Sequence, residues 1–302
     1  MKTLLFGLAI PLLAVAQIAS VDLTAPTAGY RFDAESQSLR SIEGVPGAAS
    51  LGEAMALGVA LESVWIAPSQ RLAFGVAPGG TTLVRVGLDG ATASGEATEI
   101  PAGEVFYSPG SQAMAVRAGS RLEIWTGLAS SPQRLASLEI DEGVAGVAVS
   151  DDGHAVTGLR DGVLLRLSES GPVELATGVR AAAFLNDTHD LLLVQDGALV
   201  LLPKLDGDRR EELAALGEAS QLRLSADGSK VLLAAGSKLL VMPARGGEAV
   251  AVEAGGAVHS LATANGVAFQ VALTDGRLYL LDAGEGPPTL SLVDSLREGG
   301  VQ

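Results

Sequence analysis

The chain has no cysteine, and only 4% of its residues are aromatic. Without thiols it can form neither a disulfide nor a thiolate metal centre, and a lipid anchor on a processed cysteine is excluded as well. Lysine is scarce, with four residues against sixteen arginines, and acids outnumber bases 35 to 20, for a formal charge of −15. No basic run offers itself to a phosphate backbone, so nucleic acid is not an expected partner. Histidine occurs only as His154, His189 and His259, with no H-x-H or H-E-x-x-H spacing to gather a metal. Two tryptophans, Trp65 and Trp125, are too few for the repeated tryptophan docking of a quinone-carrying enzyme. Amphipathic helical periodicity is missing too, apart from a short piece at 209–217 that reads as one or two helical turns in a connecting loop.

The first residues, MKTLLFGLAIPLLAVAQIAS, combine Lys2, an apolar run from Leu4 to Ala14 and an Ala14-Val15-Ala16 cleavage pattern. This reads as a secretory signal peptide over 1–16. The run is shorter than the ~20 residues a spanning helix needs, and no later stretch reaches that length without charges. The expectation is export, to a periplasm or beyond the cell, as a soluble monomer. About 285 residues remain after cleavage, enough to bury an ample core without disulfides.

What the chain does contain is a repeat. Six times between Ser63 and Leu281 an apolar strand runs into a Ser/Pro/Asp/Gly turn, a second apolar strand, a tight turn and a third strand. Aligning Ala67, Ser108, Ser150, Leu185, Ser225 and Ala262 gives spacings of 41, 42, 35, 40 and 37 residues. Asp152-Gly153 and Asp227-Gly228 mark first turns; Gly119-Ser120, Asp161-Gly162, Asp196-Gly197, Gly236-Ser237 and Asp275-Gly276 mark second turns, as hairpins require. Third strands follow at 121–125, 163–167, 198–202, 238–242 and 277–281. Looser fourth strands, such as 169–178 and 245–254, suit an outer edge. A period near 40 residues built of short antiparallel strands predicts an all-β fold, a β-propeller of four-stranded antiparallel blades. Six full copies plus an N-terminal unit at 30–62 give seven blades; the full copies alone give six. GYRFDAESQSLRSI (29–42) reads as a third and fourth strand that close the ring against C-terminal strands, a place for which TLSLV (289–293) competes. The organisation is then a signal peptide (1–16), a short lead (17–29), one propeller domain (30–293) and a tail (294–302).

The phrase SADGSKVLLAA (225–235), with weaker echoes at 67–75, 108–116 and 150–158, resembles the blade motif of bacterial TolB-like, YVTN and WD-repeat-like propellers. The resemblance spans 63–281 and implies a fold, since the motif is shared by proteins of unrelated function. Ser225-Ala226-Asp227-Gly228 departs from the sialidase turn, with its glycine one place early and no aromatic after it. There is no G-x-S-x-G elbow for a serine nucleophile. Asp206-Gly207-Asp208 runs into Arg209 and Arg210, which would repel a calcium ion. No catalytic residue, cofactor or metal ligand set is therefore assigned, and whether the protein is an enzyme stays open. The first reading is an exported, non-enzymatic scaffold binding a protein or small ligand through its loop faces or central channel. The alternative is a metal-dependent propeller hydrolase or lactonase whose ligands come from inner loop ends, one per blade. Glu104, Arg180, Gln221 and His259, which precede or begin first strands, are the candidate residues at the channel mouth.

Overall fold

The computed structural model describes residues 25–89 and 92–294; the segment 1–16 expected to be a signal peptide, most of the lead and the tail beyond 294 lie outside the described residues. Seven antiparallel sheets follow one another along the chain. Blade 1 holds β1 (Thr27–Asp33), β2 (Ser38–Glu43) and β3 (Ser50–Ala54), and blade 2 holds β4 (Ser63–Ile66), β5 (Leu72–Val76), β6 (Thr82–Asp89) and β7 (Thr92–Pro101). Blade 3 is β8 (Glu104–Tyr107), β9 (Ala113–Ala118), β10 (Arg121–Thr126) and β11 (Gln133–Glu139). Blade 4 is β12 (Ala145–Val149), β13 (Val156–Arg160), β14 (Val163–Arg166) and β15 (Val173–Ala176). Blade 5 is β16 (Val179–Phe184), β17 (Leu191–Gln195), β18 (Ala198–Leu202) and β19 (Glu211–Ala215). Blade 6 is β20 (Gln221–Leu224), β21 (Lys230–Ala235), β22 (Lys238–Pro243) and β23 (Val250–Glu253). Blade 7 is β24 (Val258–Thr263), β25 (Ala268–Leu273), β26 (Leu278–Asp282) and β27 (Thr289–Leu292). This is the seven-bladed propeller, with three strands in blade 1 and four in each of the others.

The turn chemistry explains the strand order. In three first turns a buried serine serves as a hinge pin: the Oγ atoms of Ser108, Ser150 and Ser225 accept the backbone N–H five residues on, at 3.0, 2.9 and 3.0 Å. Ser150 and Ser225 also donate to the aspartate two residues on, both at 2.6 Å. Second turns at Asp161-Gly162 and Asp196-Gly197 have positive φ at both residues (50° and 77°, 48° and 82°), the mirror-image turn whose twist matches a two-residue hairpin.

Each pair of neighbouring blades encloses one apolar cluster. Leu192, Leu199, Leu222 and Val231 join blades 5 and 6, while Phe74, Met114 and Trp125 join blades 2 and 3. The seam between blades 7 and 1 is thinner and leans on Ala49, Ala264, Ala268 and Ala272 around Ile42 and Leu280. Polar contacts reinforce it. Asn265 N–H donates to Ala28 O at 2.8 Å, and Gln270 Nε2 donates to Tyr30 O at 2.9 Å. Gln70, on the first turn of blade 2, accepts from Tyr30 N–H at 3.0 Å and donates to Thr263 O at 2.9 Å, tying blades 2, 1 and 7 together. After β27 the chain reaches back: Leu51 N–H donates to Asp294 O at 3.0 Å and Asp294 N–H to Ala49 O at 3.1 Å, in a parallel bridge.

Three sequence expectations are corrected. Residues 29–42 supply the first and second strands of their own blade, because β3 completes that hairpin pair; closure comes from the Asp294 bridge and the polar seam, and 289–292 is the outer strand of blade 7. The segment at 209–217 contains β19 rather than helical turns: Leu213 and Ala214 pack on the apolar seam while β18 supplies a ladder, and so short a helix would be marginal alone. In the last copy the turn residue equivalent to Ser225 is Ala264, whose N–H bonds Ala268 O, so the final spacing is 39 residues rather than 37.

Candidate functional site

The first strands of all seven blades, β1, β4, β8, β12, β16, β20 and β24, line a central cavity of about 590 Å³. That volume lies within the range of small-molecule sites. One level of the channel is set two residues before each first turn. Around the ring this level reads Arg31, Trp65, Phe106, Ala148, Ala183, Arg223 and Ala262, and every one of these residues lines the cavity. The two arginines therefore stand on either side of blade 7, whose contribution is only the methyl group of Ala262. Trp65 and Phe106 continue the ring beyond Arg31, and alanines leave the rest of the level open.

The charge of this level is unbalanced, since no carboxylate is among the lining residues. Arg223 donates Nε to Leu261 O at 3.1 Å and Nη1 to Leu222 O at 3.0 Å. Its side chain is exposed to solvent in the channel it lines, and partial desolvation by the surrounding walls pulls its pKa below the usual guanidinium value. The strand register places Arg40 opposite Arg31, a like-charged cross-strand pair. On the aromatic side Tyr107 donates its hydroxyl to Trp65 O at 2.8 Å, and burial pushes its phenol pKa upward, so it is a fixed neutral donor. The Arg117 guanidinium stacks 5.7 Å from the centre of the Phe106 ring, holding that ring in place.

The carboxylates at the first-turn end of the channel are engaged in structure. Asp151 accepts from Gly110 N–H at 2.7 Å and from Asp187 N–H at 2.8 Å, joining blades 3, 4 and 5. A Cβ at Gly110 would lie 2.9 Å from both Asp151 oxygens, so this close approach requires glycine. Burial alone would raise the Asp152 pKa, but hydrogen bonds from Ser150 Oγ, His154 N–H and His189 outweigh it and hold the carboxyl at about 2. Asp33 and Asp227 are likewise bonded within their own turns.

The four residues singled out from the sequence all stand at the start of first strands, the opposite end of the channel from the arginine level. Of these, His259 lines the cavity. Gln221 Nε2 donates to His259 O at 3.2 Å, joining blades 6 and 7. Glu104 is ion-paired with Arg117 on the adjacent strand, and Arg180 is exposed at the start of β16. Among the described residues no group of three or more His, Asp or Glu side chains is placed to hold a metal. His154 lies on the turn that places Asp152, and His189 meets Asp152 across a blade boundary at 2.9 Å. Arg31, Trp65, Phe106 and Arg223 were missed from the sequence, where they carry no motif; a column two places before each turn aligns them only once the structure sets the last turn at Ala264 and the blade 1 turn at Asp33.

No family model matches the chain, and no curated protein matches it in sequence. Solved structures do. A functionally unknown protein from Desulfotomaculum acetoxidans is similar with a TM-score of 0.61 at 12% identity, covering 89% of this chain and 100% of its own. A chain of the mitotic checkpoint complex is similar with a TM-score of 0.52 at 13% identity, covering 97% of this chain and 89% of its own. At such identities the likeness is one of fold, and at that level the resemblance to WD-repeat-like propellers holds.

Proposed function

We propose that this chain is an exported binding propeller without a reaction of its own, acting as a monomer that takes a small ligand into its central channel. The observation that carries the reading is the 590 Å³ cavity walled by all seven first strands, with side chains that differ from blade to blade at one level. A channel that served only to close the ring would need no such asymmetry. Export rests on the N-terminal pattern of residues 1–16. The mass of the protein recovered from an expressing bacterium tests it, with cleavage after Ala16 expected and an intact N-terminus counting against it.

The binding reading is tested by thermal-shift screening of the wild type and of Ala262→Trp, which sets a large side chain into the channel between Arg31 and Arg223, against small molecules of every charge type. At least one compound should raise the melting temperature of the wild type and not that of Ala262→Trp. A screen without such a compound sets the reading aside. No helix among the described residues is long and apolar enough to cross a membrane.

A further inference from the structure

The geometry points to an oxyanion as the ligand of the channel: a carboxylate or phosphate group held between Arg31 and Arg223, on an apolar or aromatic body lying against Trp65 and Phe106. This rests on the channel reading proposed above and gives it a chemistry. Four observations converge on it.

First, the only charged side chains at the arginine level are both cationic. Arg223 is exposed to the lumen and Arg31 half-buried beside it, and the protein walls around the lumen focus the field of these two like charges into it, which favours a counter-ion there. Arg223 is matched only by two backbone carbonyls, which leave most of its five N–H donors without a protein acceptor. Second, Arg31 in blade 1 and Arg223 in blade 6 flank blade 7, which contributes only the methyl group of Ala262 at this level. Two guanidinium forks flanking a small residue make a seat for a group with several acceptor oxygens. Third, the nearby carboxylates of Asp33, Asp151, Asp152 and Asp227 are engaged by hydrogen bonds within or between turns and do not line the cavity. Fourth, the level continues from Arg31 into Trp65 and Phe106 rather than into more charge, which suits an anion carried on an apolar body. In a chain of net charge −15 a cationic lumen is not the by-product of a basic composition.

The test is calorimetric titration of the full chain with phenylacetate, phenyl phosphate and inorganic phosphate, alongside neutral phenylacetamide and cationic benzylamine. At least one of the two aromatic anions should bind at least about tenfold more tightly than phenylacetamide or benzylamine, the ratio expected of one well-made charge-assisted contact. Phenylacetate and phenyl phosphate separate a carboxylate seat from a phosphate seat, and inorganic phosphate shows how much the aromatic body contributes. Arg31→Gln and Arg223→Gln should each weaken the preferred anion about tenfold or more. Because Arg223 also bonds two carbonyls of the scaffold, Arg31→Gln is the cleaner variant, and both are checked by melting temperature. Anion binding that is unchanged in Arg31→Gln, or no anion preference, overturns the inference. Phenylacetamide or benzylamine binding more tightly than either anion, and lost in Ala262→Trp, would overturn the oxyanion while leaving the channel reading standing. Anion binding that persists in Ala262→Trp would place the ligand elsewhere and overturn both.

Discussion

Gln70→Ala should loosen the ring at its closing seam. The side chain is buried and spans three blades, accepting from Tyr30 N–H at 3.0 Å and donating to Thr263 O at 2.9 Å and, within its own turn, to Ala67 O at 3.3 Å. Truncation takes the acceptor from the Tyr30 amide and the donor from Thr263 O. Gln270 Nε2 still stands 3.5 Å from Thr263 O and softens the second loss. A buried neutral hydrogen bond is worth about 1 kcal/mol net, and a buried group left unpaired costs about 1–3 kcal/mol, so the sum expected here is about 2–4 kcal/mol. The replacement adds no backbone strain of its own, since Gln70 already sits at φ 57° and alanine fares no worse there. For a domain of this length each kcal/mol moves the midpoint by about 2 °C, which places the expected drop near 4–8 °C. Gln70→Met, which keeps the volume but not the hydrogen bonds, should recover less than half of it. The assay is thermal and urea unfolding with hydrogen exchange at the Tyr30 amide. A Gln70→Ala protein melting within about 1 °C of the wild type would refute the view that polar contacts hold this alanine-rich seam.

Three further outcomes follow from the same geometry. Asp151→Ala should cost about 2–4 kcal/mol in urea unfolding, because the Gly110 and Asp187 amides both lose a carboxylate acceptor; Asp151→Asn, which accepts through one oxygen only, should fall between. The Asp152 carboxyl should titrate by NMR at about 2, and Ser150→Ala should move it toward the ordinary carboxylate value. Its folded pKa is depressed, so its stabilising effect is complete above about pH 4 and is lost as pH falls through about 2; for so exposed a group this amounts to about 0.2–1 kcal/mol. Removing residues 258–302 deletes blade 7, exposes the faces around Leu239 and Ile42, and should abolish a single sharp melting transition; a truncated chain melting as sharply as the whole would contradict ring closure.

The blades were legible because their determinants are local. Asp-Gly and Gly-Ser second turns fix hairpins, and the strands between them, such as Ala198–Leu202, follow from the turns that bound them. Blade 1 was harder to place. Its strands resemble any strand pair, and whether 29–42 is inner or outer depends on Gln70, Gln270 and Asp294, residues distant in the chain. The segment at 209–217 misled because its composition favours helix, whereas the ladder offered by β18 decides its conformation. The arginine level was illegible for a different reason. Arg31 and Arg223 carry no motif and lie almost two hundred residues apart, and the misplaced turn in the last copy hid Ala262 between them. Only the ring brings them to one level.

The most direct measurement is a crystal structure of the full chain soaked with 4-iodophenylacetate, the iodine located by its anomalous scattering. The account predicts one dominant peak inside the channel, with the carboxylate between Arg31 and Arg223 and the iodinated ring against Trp65 and Phe106. Iodine peaks confined to the outer surface, with the arginine level unoccupied, would contradict it.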